Sequence, residues 1–475
     1  MAFLRKRNPH DRILRTGPEE EDGVRRDPGG VDLQLNFVDD ESVRVFTIGF
    51  VIVSTFLSGI VSAGDWPNFR GPNFDGSNSE SDLPVKISKD DHVSWKSELT
   101  GPGSSTPVVW GNSIFITSVG EGGRGVVASR IDLETGEIVW SKEISKANHH
   151  DRRSDRAGPS PATDGERVIL LSGAGDLVAM DFDGNVLWEK DIQKEYGQFS
   201  LKWSYSSSPV LNNGKLYLQV LQQNESIDGV VPGRSSFLLA LDPETGKQIW
   251  QHTRRSDAAG ESLEAYSTPT PVTHKGKQVV LVSGADCITS HDSKTGHEVW
   301  RWGSWNRRGL NHWRVIPSPV YGDDMIVACA PKGGPVYTFF AGSRGSSNKD
   351  DLKWSSKIDA ISCDVPTPLF YDEYFYFVNG RKKIISCVEP FSGKVEWNQS
   401  FPSRAKIEAS PTAADGKIYV MSHTGEVFVF KAGPAFELLH STVLGQDPDA
   451  TNRSSIVPAH GRLLLRIGST LWCMD

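Results

Sequence analysis

The sequence predicts an all-β fold. It is an eight-bladed β-propeller of four-stranded antiparallel blades with tryptophan-docking motifs, its ring closed by the N- and C-terminal strands. Three observations carry this. A Ser/Thr-Pro step followed by a turn and an apolar strand recurs along the chain. An acid–Gly–Trp unit recurs in phase with it, at intervals of about fifty residues, a period typical of propeller blades. The last unit stops where its acid belongs, while a Trp strand with no acid before it stands near the start of the repeats.

The 475 residues divide into four stretches. Residues 1–43 mix acids and bases with Pro and Gly and show no apolar period. They read as a disordered extension, or as sequence upstream of a later start near Val43-Arg44. Residues 44–63 read as a signal peptide, with Arg44 before the apolar run 45–61 and Val61-Ser62-Ala63 as the cleavage signal. Cleavage after Ala63 predicts a periplasmic or secreted protein. An uncleaved membrane anchor over 45–61 is the alternative, because the run is only just long enough to span. Residues 64–92 form a leader segment, and 93–475 form the propeller.

Composition narrows the function classes. Lys plus Arg number 51 and Asp plus Glu 59, a net charge of −8, so no overall basic footprint invites nucleic acid. Five Cys in a chain of this length are no disulfide framework. Each is read as a small buried hydrophobe.

The steps are Thr106-Pro107, Ser160-Pro161, Ser208-Pro209, Thr268-Pro269, Ser318-Pro319, Thr367-Pro368 and Ser410-Pro411, with a loose eighth at Val457-Pro458. Turn pairs such as Asn213-Gly214 and Asp415-Gly416 follow, then apolar strands, a hairpin signal. The docking units are Asp132/Gly136/Trp140, Asp181/Gly184/Trp188, Asp242/Gly246/Trp250 and Asp292/Gly296/Trp300. Glu389/Gly393/Trp397 substitutes the acid, and Trp354 stands in a degenerate unit with an inserted loop. The seventh unit shows Phe436 and Leu438 where a Trp is expected. Each residue type has a structural task. The acid accepts hydrogen bonds from its turn, the Gly takes positive φ, and the Trp packs between blades and needs an acceptor for its N–H. Trp95 and the C-terminal strand around Arg466–Asp475 are expected to complete blade eight and remove the open sheet edge.

This acid–Gly–Trp unit resembles the docking motif of the pyrroloquinoline-quinone (PQQ) propeller superfamily, over roughly 93–475. The leader Trp66-Pro67-Asn68-Phe69-Arg70-Gly71-Pro72 resembles the start of exported bacterial PQQ-like propellers, many of which have no demonstrated cofactor. The superfamily also holds the propeller lipoprotein of the outer-membrane β-barrel assembly machinery, from which this chain departs by lacking the lipid-bearing Cys. For a quinoprotein alcohol dehydrogenase the resemblance implies a vicinal Cys pair against PQQ, a Trp on its other face, a Ca²⁺ held by acid and amide groups, and an Asp base. No two Cys are adjacent here.

Other chemical motifs are weak. Gly120–Gly125 matches a dinucleotide fingerprint by letters, but a strand follows it instead of a helix, so no helix N-terminus is there to take a pyrophosphate. His149-His150 with Asp151 and Asp155 read as a solvated loop, not a metal site. Function is expected in the non-repeat segments entering each step, at one mouth of the channel. They supply Trp203, Tyr205, Arg254, Tyr266, Trp313, Arg314, Asp364, Lys406 and Glu408 as candidate ligand-binding residues. Asp364 and Glu408 are the candidate carboxylate pair. The reading is an exported, monomeric, non-catalytic binding or scaffold module for a protein, glycan or small molecule. No catalytic residue, metal or cofactor is expected. The alternatives are a quinoprotein oxidoreductase using PQQ with calcium and an outer-membrane assembly scaffold.

Overall fold

In the computed structural model, eight four-stranded antiparallel sheets make the eight blades. Residues 64–148, 154–224, 235–303, 305–342, 352–356, 361–445 and 451–475 are described, all within the compact unit Leu57–Asp475. The predicted extension, the signal segment and His149-His150 fall outside the described residues. Blades 1 to 7 follow chain order, with innermost strands Val108–Trp110, Ala162–Thr163, Val210–Asn212, Thr270–His274, Val320–Gly322, Leu369–Tyr371 and Thr412–Ala414. Blade 8 takes three strands from the C-terminal end, beginning at Val457–Ala459, and its outermost from Val93–Glu98. Trp95 stands opposite Cys473 in that closing ladder.

Burial explains the strand sequences. The second strand of blade 1, Ser113–Val119, is buried at every position and is rich in Ile, Val and Phe. The outer strand of blade 2, Val186–Asp191, keeps only alternate residues half-buried and is polar at its end. Inner strands thus carry the cores between blades, and outer strands face water on one side.

The docking motif works between blades. The Trp95 indole donates to the Leu133 carbonyl of blade 1, Trp140 to Phe182 of blade 2, and Trp188 to Pro243 of blade 3, each at 2.9 Å. Trp250 donates to Ser293, Trp354 to Pro390 and Trp397 to Gly433 in the same way. Each Gly turn lies under the Trp of the preceding blade: a Cβ on Gly136, Gly184, Gly246, Gly296 or Gly393 would meet Trp95, Trp140, Trp188, Trp250 or Trp354. Asp132 caps its own turn, accepting from the backbone of Glu134 and Thr135, and Asp242 and Asp292 repeat this. Trp250, Trp300 and Trp397 are buried, whereas Trp140 and Trp188 are half-buried.

Two readings of the repeat are corrected. In blade 7 the residue at the Trp register is His440, opposite Val429, and not Phe436 or Leu438. Its ring nitrogen meets the Ile87 carbonyl of the leader at 2.8 Å. Phe436 instead packs on Trp397, edge to face, with centroids 5.2 Å apart. The eighth step is Ser455-Ile456, not Val457-Pro458, because Val457 already opens the strand.

The steps explain themselves at this level. From Thr106 to Thr367 the main-chain N–H of each step Ser or Thr donates to the hydroxyl of the next blade's step: Thr106 to Ser160, Ser160 to Ser208, Ser208 to Thr268, Thr268 to Ser318, Ser318 to Thr367 and Thr367 to Ser410. Ser455 then donates to Thr106, across the closure. These N–H groups are buried at the crowded centre, and the hydroxyl belt satisfies them.

The leader crosses one end of the channel. Trp66 is fully buried and exchanges both main-chain hydrogen bonds with Val109. Pro67 accepts from Thr163, Asn68 from Leu211, and Asp75 from Phe370, while Asn78 donates to Ala413 and Pro458. Arg70 reaches into the channel and donates to the Pro368 and Pro411 carbonyls, both at 2.9 Å. The leader thus bonds blades 1, 2, 3, 6, 7 and 8. Inner strands all start at their steps, so the steps mark an upper face, and the leader occupies the lower one.

Candidate functional site at the upper channel mouth

The segments entering the steps gather into two clusters on the upper face. The larger one lies over blades 2 to 5. Glu264 is fully buried and accepts from the Lys202 main-chain N–H at 3.1 Å, from Gln223, and from the Tyr266 hydroxyl. The same Tyr266 oxygen accepts from the Trp203 main-chain N–H at 3.2 Å. Burial raises the Glu264 carboxyl and pushes the Tyr266 hydroxyl well above its usual value. These two residues therefore act as a post that holds the Trp203 loop.

Beside the post stands a charged cage. Glu261 meets Arg314 at 2.5 Å and Lys202 at 3.1 Å. Burial alone would raise Glu261, but these two cations outweigh it and hold the carboxyl below the usual range. The Arg314 guanidinium lies 5.6 Å from the Trp203 ring centre and the Lys202 ammonium 5.8 Å, so the ring has two cations within reach. The Trp313 main-chain N–H donates to Ser262 at 2.7 Å, which seats the Trp313–Arg314 turn.

The smaller cluster lies over blades 5 to 7. Asp364, Lys406 and Glu408 line one cavity of about 50 Å³ with Arg381. Glu408 accepts from Arg453 at 2.8 Å and meets His423 at 3.0 Å. Burial opposes its ionisation, but His423 and Arg453 prevail and hold the carboxyl at about 2. The Asp364 carboxylate accepts the Lys332 main-chain N–H at 3.0 Å.

Two of the predicted residues lie away from the mouth. Arg254 is buried in the wall between blades 3 and 4, donating to Thr289 and to the Cys287 carbonyl, both at 2.9 Å. Tyr205 is buried too, its hydroxyl donating to the Gln219 carbonyl at 2.6 Å and its ring stacked on Phe199. The other seven divide between the clusters: Trp203, Tyr266, Trp313 and Arg314 over blades 2 to 5, and Asp364, Lys406 and Glu408 over blades 5 to 7. Glu261 and Gln223 escaped sequence reasoning. Both stand in polar segments outside the repeat, with no motif around them.

This donor set is a poor fit for PQQ with calcium. The five Cys are buried and free. The Trp203 ring already carries two cations, and Glu261, Glu264 and Glu408 are each bound by side chains of the protein. Among the described residues no group of three or more His, Cys, Asp or Glu could hold a metal ion. No described helix is long and apolar enough to cross a membrane.

Comparison with known proteins places the fold. The chain is 23% identical over 283 residues to the quinohemoprotein alcohol dehydrogenase of Comamonas testosteroni, covering 57% of this chain and 36% of that enzyme. The chain thus spans about a third of that relative's length. It is 20% identical over 354 residues to outer membrane protein assembly factor BamB of Yersinia pestis, covering 66% of this chain and 82% of that protein. The crystal structure of the Comamonas testosteroni dehydrogenase superposes with a TM-score of 0.63 at 12% identity, covering 87% of this chain and 81% of the other, a likeness of fold. Matched against protein families, residues 77–228, 230–342 and 344–469 fit the one described as outer membrane protein assembly factor BamB. With the repeats, the ring and that match together, the chain belongs to this family of PQQ-like β-propellers.

Proposed function

We propose that the chain is an exported binding or scaffold module that holds a protein, glycan or small-molecule ligand at its upper mouth without turning it over. The observation that carries this is the state of the mouth acids. A catalytic acid or base needs a lone pair or proton free for substrate. Glu261 is committed to Arg314 and Lys202, and Glu408 to Arg453 and His423. What the mouth presents is a preformed cluster of Trp203 with the cations Arg314 and Lys202 joined by Glu261, suited to recognition.

The test uses the purified full chain with added PQQ and Ca²⁺, following dye-linked oxidation of alcohols and sugars. The proposal expects no PQQ-dependent turnover. PQQ-dependent dye reduction lost in Asp364→Ala or Glu408→Ala would replace it with the dehydrogenase reading. That second reading draws on the likeness to the Comamonas testosteroni enzyme over 57% of this chain. The third reading, an outer-membrane assembly scaffold, draws on the likeness to the assembly factor of Yersinia pestis and expects a stoichiometric protein partner in pull-downs from membranes. Export is part of the proposal. N-terminal sequencing of the mature protein is expected to begin at Gly64.

A further inference from the structure

A further cavity stands apart from the two mouth clusters. It has a volume of about 350 Å³ and lies between the outer parts of blades 4 and 5. Trp302 is the penultimate residue of the outer strand of blade 4, Trp305 and Trp313 stand on the segment that follows, and Tyr337 is the second residue of a strand of blade 5. Outer strands end at the upper face, so the cavity opens beside the mouth cluster. Its size is that of small-ligand sites.

Its walls are chemically specific. Trp302 and Tyr337 lie 4.6 Å apart between ring centres and tilt by 46°, and Trp302 and Trp305 lie 6.1 Å apart at 50°. Trp305 and Tyr337 are close to parallel at 23°, with centres 6.0 Å apart. A flat cofactor sandwiched between two rings needs roughly 7 Å between them, twice the carbon contact distance of about 3.5 Å. None of these three ring pairs offers that slot. What the rings offer is a single aromatic wall. The axial C–H groups of a pyranose suit such a wall, because their partial positive charge meets the negative face of the π-system.

The rim adds charge. Arg307 and Arg308 both line the cavity, are exposed, and have no carboxylate partner among the described residues. The neighbouring acid Asp286 is instead engaged by Asn306 at 2.6 Å. Two exposed guanidinium forks beside an aromatic wall select a planar anion, as guanidinium does with carboxylate. We infer that the cavity framed by Trp302, Trp305, Trp313 and Tyr337 with Arg307 and Arg308 binds an acidic sugar, a pyranose carrying a carboxylate. This rests on the binding reading of the upper face, but on a different set of charges from the Lys202–Glu261–Arg314 cage.

Isothermal titration of the full chain with trimannuronate and with neutral mannotriose tests it. The acidic sugar is expected to bind at least tenfold tighter, with affinity falling as salt rises. The double variant Arg307→Ala/Arg308→Ala changes only exposed side chains and is expected to erase that difference while keeping its melting temperature. Trp313→Ala is expected to weaken both sugars. Equal affinity for the two sugars, an unaffected arginine variant, or binding of neither sugar would overturn the inference. Loss of trimannuronate binding in Lys202→Ala/Arg314→Ala alone would also overturn it, by moving the ligand to the mouth. The binding reading itself fails on a separate result, PQQ-dependent turnover.

Discussion

Trp250 of blade 3 lies over Gly296 of blade 4, and its indole donates to the Ser293 carbonyl in the same turn. The residue that most marks a blade in the sequence therefore stabilises the blade after it.

Replacing Trp250 by Ala should cost on the order of 3–5 kcal/mol, the usual range for a buried aromatic truncated to Ala. Gly296→Ala should also destabilise, because its φ of 74° is costly for an L side chain and the new Cβ would collide with the Trp250 ring. Chemical denaturation of both single variants and the double variant checks the coupling. A docked pair should show an interaction energy of about 1–3 kcal/mol. Strict additivity would mean the two act separately.

Ring closure rests on the ladder between Val93–Glu98 and Thr470–Met474. Deleting residues 468–475 should leave Trp95 without its blade and expose a strand edge in blade 8. Aggregation on size-exclusion chromatography and a lowered melting temperature are expected. A monomer with an unchanged melting curve would refute closure by the two termini.

The hydroxyl belt predicts a graded result at Thr367, which accepts from the buried Ser318 N–H at 3.1 Å. Thr367→Val keeps the shape and removes the acceptor, so it should cost about 1–3 kcal/mol. Thr367→Ser should be close to neutral. Equal effects of the two changes in urea melts would assign the cost to packing.

Glu408 gives a pH test. Its carboxyl titrates at about 2 in the folded chain against an ordinary 4.5. A depressed folded value contributes stability that is full above about 4.5 and lost as pH falls towards about 2. Glu408→Gln should therefore be less stable than the parent at neutral pH, by an amount on the order of 3 kcal/mol at most. The gap should shrink as pH falls through that window. A gap independent of pH would show that Arg453 and His423 do not set the titration.

The architecture was legible because the repeat is local. The small-residue slot before each acid could be read as structural, and the ladders show why: Ala179 faces Trp188, Ala240 faces Trp250, and Cys387 faces Trp397. The direction of docking was not legible, since acid, Gly and Trp adjoin in sequence while the contact joins consecutive blades. Ser455 was missed because Ile456 replaces the Pro that flags the other steps. In the candidate site, residues next to steps were found, but their depth was not. Arg254 follows a strand like a mouth residue, yet its side chain turns into the wall. The aromatic wall of Trp302, Trp305 and Tyr337 was invisible because two blades supply it.

The leader makes the propeller a cup instead of a tube. Its bonds to both sides of the ring fix the rim width at the lower end, and Arg70 caps the bore from below. A long polymer could not be threaded through such a vessel. Under the proposed binding role, such a polymer would be gripped by one end or along a flank, so chain ends and side branches are the parts it would offer.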